Sequence, residues 1–165
     1  MDQKEIVKRI SENQKIIYKI CNSYCYNKSD REDLGQEIVY QLIKSRNIYN
    51  SKFQFTTWMY RVALNVAISF YRSGKKEDVV ELVESHEDAE DTTHEGVSAE
   101  DNFRALQQFI NELKELDKAI MILYLESKSY KEIAEVIGIS ETNVATRINR
   151  IKKVLTQKFS NHNLK

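Results

Sequence analysis

No proline occurs in the chain, and only four glycines do: Gly35, Gly74, Gly96 and Gly138. Proline and glycine end helices and make the tight turns that join paired strands. A chain of 165 residues with so few of them is therefore expected to fold as long helices rather than hairpins. The fold class expected is all-α. This length suits one ordinary domain or two small ones, and 41% hydrophobic residues are enough for a core.

Periodicity divides the chain into three segments. Ile6, Ile10, Ile16, Ile17, Ile20 and Tyr24 recur at helical spacing and predict one amphipathic first helix. Asp30 is placed to cap a second, "REDLGQEIVYQLIKS", whose Leu34, Ile38, Leu42 and Ile43 share a face. After the loop "RNIYNSKFQ" a third helix is expected from about Thr56 to Ser73. Three helices make a first domain over residues 1–75. Residues 76–100 are polar and acidic and read as a flexible linker. The second domain, residues 101–165, begins with a helix marked by Phe103, Leu106, Phe109, Ile110 and Leu113. Leu116, Ile120, Leu123 and Leu125 mark the next, with Asp117 near its start.

The formal charge is zero, but the charges are segregated. Between Glu77 and Asp101 stand eleven acids and no Lys or Arg, so all 25 bases face only 14 acids in the rest of the chain. From Ile38 to Lys76 there are seven bases and no acid. Two basic lobes around an acidic strip point to polyanion-binding surfaces with an internal counterweight. Such a strip can fold back over the basic lobes and shield them until a partner separates them.

The most specific pattern is "SYKEIAEVIGISETNVATRINRIKKVLTQKF". Ser129 and Glu132 have the spacing of a capping box, and Gly138 suits a left-handed turn. Ser140 can then cap a second helix, Ala134 is small where the two helices must cross closely, and Ile133, Ile137, Ile139, Val144 and Ile148 supply a shared core. Capping, turn and packing together predict a helix-turn-helix. Asn143, Thr146, Arg147, Asn149, Arg150 and Lys153 project from the other face of its second helix. Asn and Arg are the side chains that pair bidentately with adenine and guanine edges in the major groove, and the surrounding cations suit phosphate.

A second pattern is "KFQFTTWMYRVALNVAISFYR", which has six aromatic residues, three bases and no acid. On a helix Trp58, Arg61, Asn65, Ser69 and Arg72 form one stripe, with Met59, Val62, Ala63, Val66 and Phe70 opposite as core. Phe53 and Phe55 fall in the loop before it, and Tyr60, Phe70 and Tyr71 are expected to fill core. Rings beside cations, with no acid to repel phosphate, are what unpaired nucleic-acid bases need.

No glycine-rich phosphate loop, nucleophile triad or metal cluster stands in the chain, so no catalytic, cofactor or metal residues and no small-molecule substrate are expected. Cys21 and Cys25 read as small packing side chains. His86 and His94 read as solvated linker residues. The start "MDQKEIVKRI" is unlike a signal peptide, and no apolar run reaches about 18 residues. A cytoplasmic location is expected.

"DREDLGQEIVYQLI", then "FTTWMYRVALNVAISFYR", an acidic tether and "SYKEIAEVIGISETNVATRINRIKK" together resemble a bacterial RNA polymerase sigma factor of the extracytoplasmic-function type. The resemblance covers about Lys8 to Lys158. It implies a region-two-like first domain and a region-four-like second one. Its partners would be core RNA polymerase, through the clamp helices of the largest subunit and the flap of the second-largest, and promoter DNA, duplex and melted. An anti-sigma partner is common in that group. By resemblance Asp33, Gln36 and Glu37 would contact polymerase. Phe53, Phe55, Thr57 and Trp58 would lie in the loop that captures a flipped base of the minus-ten element, with Arg61, Asn65 and Arg72 along the adjoining DNA. Ala145, Thr146, Asn149 and Arg150 match the positions that read the minus-thirty-five element, although Ala145 and Asn149 differ from the residues common there. "NELKELDKA" lacks the proline often found where its helix begins. The alternative is a stand-alone helix-turn-helix regulator that never joins polymerase; a purely protein-binding adaptor or antagonist is a further class.

Overall fold

The computed structural model describes residues 1–74 and 99–163. The expected linker over residues 76–100, with His86, His94 and the shielding role of its acids, lies outside the described residues except for its last two positions. The chain divides into two compact units, Met1–Ser85 and His86–Lys165. The described residues form eight α-helices and one short 3-10 turn, without strands, as the all-α reading expects.

Among the described residues the first unit holds four α-helices: α1 (Gln3–Glu12), α2 (Gln14–Tyr24), α3 (Lys28–Lys44) and α4 (Phe55–Gly74). The single first helix expected from the isoleucine spacing is in fact two. Asn13 breaks it, with φ −119° and ψ 25°, and its Nδ2 donates to the Arg9 carbonyl at 2.8 Å. A side-chain amide competing for the backbone in this way is why asparagine interrupts helices. Asp30 is likewise not the cap of α3. Asn27 is: its Oδ1 accepts from the Asp30 N–H at 2.7 Å and its Nδ2 donates to the Asp30 carboxylate at 2.9 Å. The cap moved one turn back because Asn27 and Asp30 satisfy each other, which Asp30 alone cannot do.

Helices α2, α3 and α4 pack on one another and α1 lies against α3. Ile6, Ile20, Leu34, Ile38, Leu42, Met59, Ala63 and Ala67 are fully buried between them. On α4 the buried set is Met59, Tyr60, Ala63, Leu64 and Ala67, while Val62, Val66 and Phe70 are only half-buried. The expected core stripe is rotated because α4 must cover α2 and α3 at once. Burial pushes the Tyr60 hydroxyl up to about 12. Tyr71 is half-buried, edge-on to Tyr24. Cys21 and Cys25 are both buried, and burial raises Cys21 to about 11, so it packs as an uncharged group.

Gly35 lies inside α3, where an added Cβ would sit 3.8 Å from Cys21 Sγ and 4.0 Å from Ile17 Cγ2. Those are ordinary contacts, so Gly35→Ala should gain helix propensity without a clash. The expected stabilisation is about 0.5–1 kcal/mol. Trp58, the only tryptophan, reports this unit's urea unfolding by fluorescence, and a lower midpoint would contradict the packing described.

The second unit holds α5 (Ala99–Asn111), α6 (Glu115–Leu125), α7 (Tyr130–Ile137) and α8 (Glu141–Asn163). Ile110, Met121, Ile151 and Leu155 form its lower core, flanked by Leu106, Phe109, Leu113 and Tyr124. Ile120, Leu123, Ile133, Val144 and Ile148 are fully buried where α6, α7 and α8 meet. Phe103, expected on the buried side of α5, is exposed. Leu113 follows the end of α5 and packs on the core from outside the helix.

Candidate nucleic-acid interfaces

In the first unit the chain leaves α3 through a 3-10 turn, Arg46–Ile48, and enters α4 through a loop built around Tyr49. The Tyr49 ring packs on Phe55 and Trp58 at centroid distances of 5.8 and 5.3 Å, and Phe55 meets Trp58 at 5.6 Å. The Tyr49 hydroxyl donates to the Phe53 carbonyl at 2.8 Å. The Phe53 N–H donates to the Asn50 carbonyl at 3.0 Å. With both backbone groups held, the Phe53 ring stands out at 53% exposure. The Arg9 guanidinium from α1 lies 5.5 Å over the Phe55 ring and pairs with Glu5 at 2.8 Å.

The expected minus-ten residues therefore divide by burial. Phe53, Arg61, Asn65 and Arg72 are exposed; Phe55, Thr57 and Trp58 are half-buried. Phe55 is the first residue of α4, not part of the loop. Trp58 does not lie open on the polar stripe: it packs against two other rings, because each buries apolar edge that water would otherwise face. Tyr49 was missed by the sequence reading, although "NIYNSKFQF" places it four residues before Phe53. Arg9 could not have been found, since only the fold brings α1 to this loop.

Asp33, Gln36 and Glu37 are exposed on the outer face of α3, opposite the buried Leu34, Ile38 and Leu42. Glu37 accepts from Gln41 Nε2 at 2.9 Å. Gln36 also borders a shallow cleft lined by Ile17, Tyr18, Val39 and Tyr40. Tyr18 and Tyr40 are large exposed rings beside it that sequence periodicity did not single out.

In the second unit the helix-turn-helix forms as its signals direct. Ser129 Oγ accepts the Glu132 N–H at 3.1 Å. The Glu132 carboxylate takes the Ser129 hydroxyl at 3.2 Å. Gly138 adopts φ 84° and ψ 34°, the left-handed region that costs a side chain about 1–2 kcal/mol. Both Gly138 and Ile139 N–H groups return to the Ala134 carbonyl, at 2.8 and 3.2 Å. Ser140 Oγ then accepts the Asn143 N–H at 3.1 Å and starts α8. Ile133, Ala134, Val144 and Ile148 are buried as expected, whereas Ile137 and Ile139 are half-buried.

Along α8, Asn143, Thr146, Asn149, Arg150 and Lys153 are exposed, and Ala145 is half-buried. Arg147 differs from its expected outward position. Its side chain is 28% exposed, and Nη1 lies 3.0 Å from Asp117 Oδ1 of α6. Its Nε donates to Asn143 Oδ1 at 3.1 Å. Arg150 Nη2 approaches the other Asp117 oxygen at 3.6 Å and stays 60% exposed.

Residues 9–77 match the family "Sigma-70 region 2" and residues 103–155 match "Sigma-70, region 4". The chain belongs to the sigma-70 family of RNA polymerase sigma factors and is of the extracytoplasmic-function type. The RNA polymerase sigma factor SigV of Bacillus subtilis is 27% identical over 164 residues, covering 96% of this chain and 93% of the relative. The ECF RNA polymerase sigma-E factor of Haemophilus influenzae is 26% identical, covering 93% of each. In fold the chain is similar to CnrH, solved with the cytosolic domain of CnrY (TM-score 0.67, 16% identity, 96% of this chain and 90% of that one). It is equally similar to the sigma factor RpoE of Bartonella quintana, solved with the anti-sigma factor NepR (TM-score 0.68, 15% identity, 95% and 98%).

Proposed function

We propose that this sigma factor divides its work between the two units. The first, residues 1–75, docks on the clamp helices of the largest polymerase subunit through Asp33, Gln36 and Glu37. It then holds the minus-ten element open, with Phe53 stacking on a flipped base and Phe55, Thr57 and Trp58 shaping the loop beneath it. Arg61, Asn65 and Arg72 follow the adjoining DNA backbone. The second, residues 101–165, reads the minus-thirty-five duplex through Asn143, Ala145, Thr146, Asn149, Arg150 and Lys153 and meets the flap of the second-largest subunit.

The observation that carries this reading is the exposed Phe53 ring in the loop that leads into α4, a helix without acids, in the same chain as a helix-turn-helix whose outer face bears Asn149 and Arg150. Stacked bases supply the free energy that keeps the bubble open, so the factor needs no ATP and no reaction of its own. Its partner does the chemistry, which places both in the cytoplasm. No described helix is long and apolar enough to cross a membrane. An inhibitory partner belongs to the proposal too, supported by the similar fold of RpoE, solved with the anti-sigma factor NepR.

The test is reconstitution with bacterial core RNA polymerase and run-off transcription on fragmented genomic DNA from the source. Discrete transcripts that require this protein are expected, and they reveal its promoter sequence. Absence of any association with core would overturn the proposal.

A further inference from the structure

We propose that Asp117 governs promoter discrimination by holding Arg147 and restraining Arg150, so that only part of the positive charge of α8 reaches DNA phosphate. This rests on α8 being the helix that touches duplex DNA. Asp117 is in the first turn of α6, where the helix dipole favours a carboxylate. Its side chain is only 13% exposed, and its two oxygens face two arginines of the neighbouring helix. A carboxylate so far withdrawn from water needs its charge compensated, and the Arg147 contact at 3.0 Å does this.

The two arginines are held unequally. Arg147 is gripped at both edges, Nη1 by Asp117 and Nε by Asn143, and has little freedom to reach a base or phosphate. It is a positioning residue, tying α8 to α6 and orienting Asn143. Arg150, more exposed and 0.6 Å farther from the carboxylate (3.6 against 3.0 Å), can exchange Asp117 for DNA. Without the carboxylate both guanidiniums would seek phosphate. Phosphate contacts add affinity for every sequence alike, whereas base contacts demand a fixed orientation. Asp117 thus trades non-specific affinity for discrimination.

The test is binding of the full chain to a short labelled duplex of arbitrary sequence, measured by fluorescence anisotropy across a salt titration. Asp117→Asn, nearly isosteric but uncharged, is expected to bind this duplex more tightly. Its log–log salt slope should steepen by about 0.9 to 1.8, the release of one to two cations onto phosphate. Asp117→Glu should return towards the wild-type slope, and adding Arg147→Gln to Asp117→Asn should remove about 0.9 of the gain. A damaged domain would bind more weakly, the opposite sign. If Lys153→Gln flattens the slope while Asp117→Asn leaves it unchanged, α8 touches DNA and the proposal fails. If Arg147→Gln alone flattens it, Arg147 already contacts phosphate and the proposal fails. If neither Lys153→Gln nor Arg150→Gln changes it, the assignment of α8 to DNA falls as well.

Discussion

Phe53→Ala is expected to leave duplex binding intact and to cost promoter opening severely. One base stacked on an aromatic ring is worth roughly 1–3 kcal/mol, which corresponds to about 5- to 150-fold fewer open complexes. The side chain is more than half exposed and holds nothing in the core, so its removal should shift the stability of the first unit by under about 0.5 kcal/mol. Trp58→Ala should lose both opening and stability, because that ring also supports Tyr49 and Phe55. Permanganate reactivity of unpaired thymines, on a promoter recovered by run-off transcription, measures opening. Filter retention of the closed complex measures binding. Normal opening by Phe53→Ala would remove this ring from the mechanism, whereas equal loss of binding and opening would assign it to docking.

Leu34→Ala should have the largest effect on folding. Leu34 is completely buried where α3 faces its neighbours, and truncating such a leucine costs about 2–5 kcal/mol through lost transfer energy and the cavity left behind. The urea midpoint of Trp58 fluorescence should fall by roughly 1 M or more. Glu37→Ala, on the opposite and exposed face of the same helix, should change stability by less than about 0.5 kcal/mol yet weaken association with core polymerase. The pair separates packing from recognition. A Glu37→Ala protein that binds core normally would move the docking surface elsewhere, with Tyr18 and Tyr40 beside Gln36 as the next residues to change.

Much of this molecule follows from short-range chemistry. Helical class was legible in the missing prolines. The helix-turn-helix was legible because each of its signals is local: the Ser129 hydroxyl, the left-handed Gly138 and the Ser140 cap act within four residues. The break at Asn13 was local too, but an isoleucine pattern that runs through it concealed it. The start of α3 was displaced for a similar reason, since Asn27 and Asp30 each look like a cap and only their mutual hydrogen bonds choose between them.

What lay beyond the sequence was every contact between residues far apart in the chain. Arg9 over Phe55, and Asp117 between Arg147 and Arg150, join helices whose mutual placement no periodicity states. The face of α4 that is buried turned away from its hydropathy stripe because two neighbouring helices, not one, compete for it. By itself the sequence determined which segments are helical, where the second unit turns and which surfaces carry charge, since these depend on neighbours within a turn or two. The tertiary structure alone decided which ring stands out at Phe53 and which arginine is held back at Arg147. Exposure and ion pairing are set by what packs alongside, and that is known only once the helices have met.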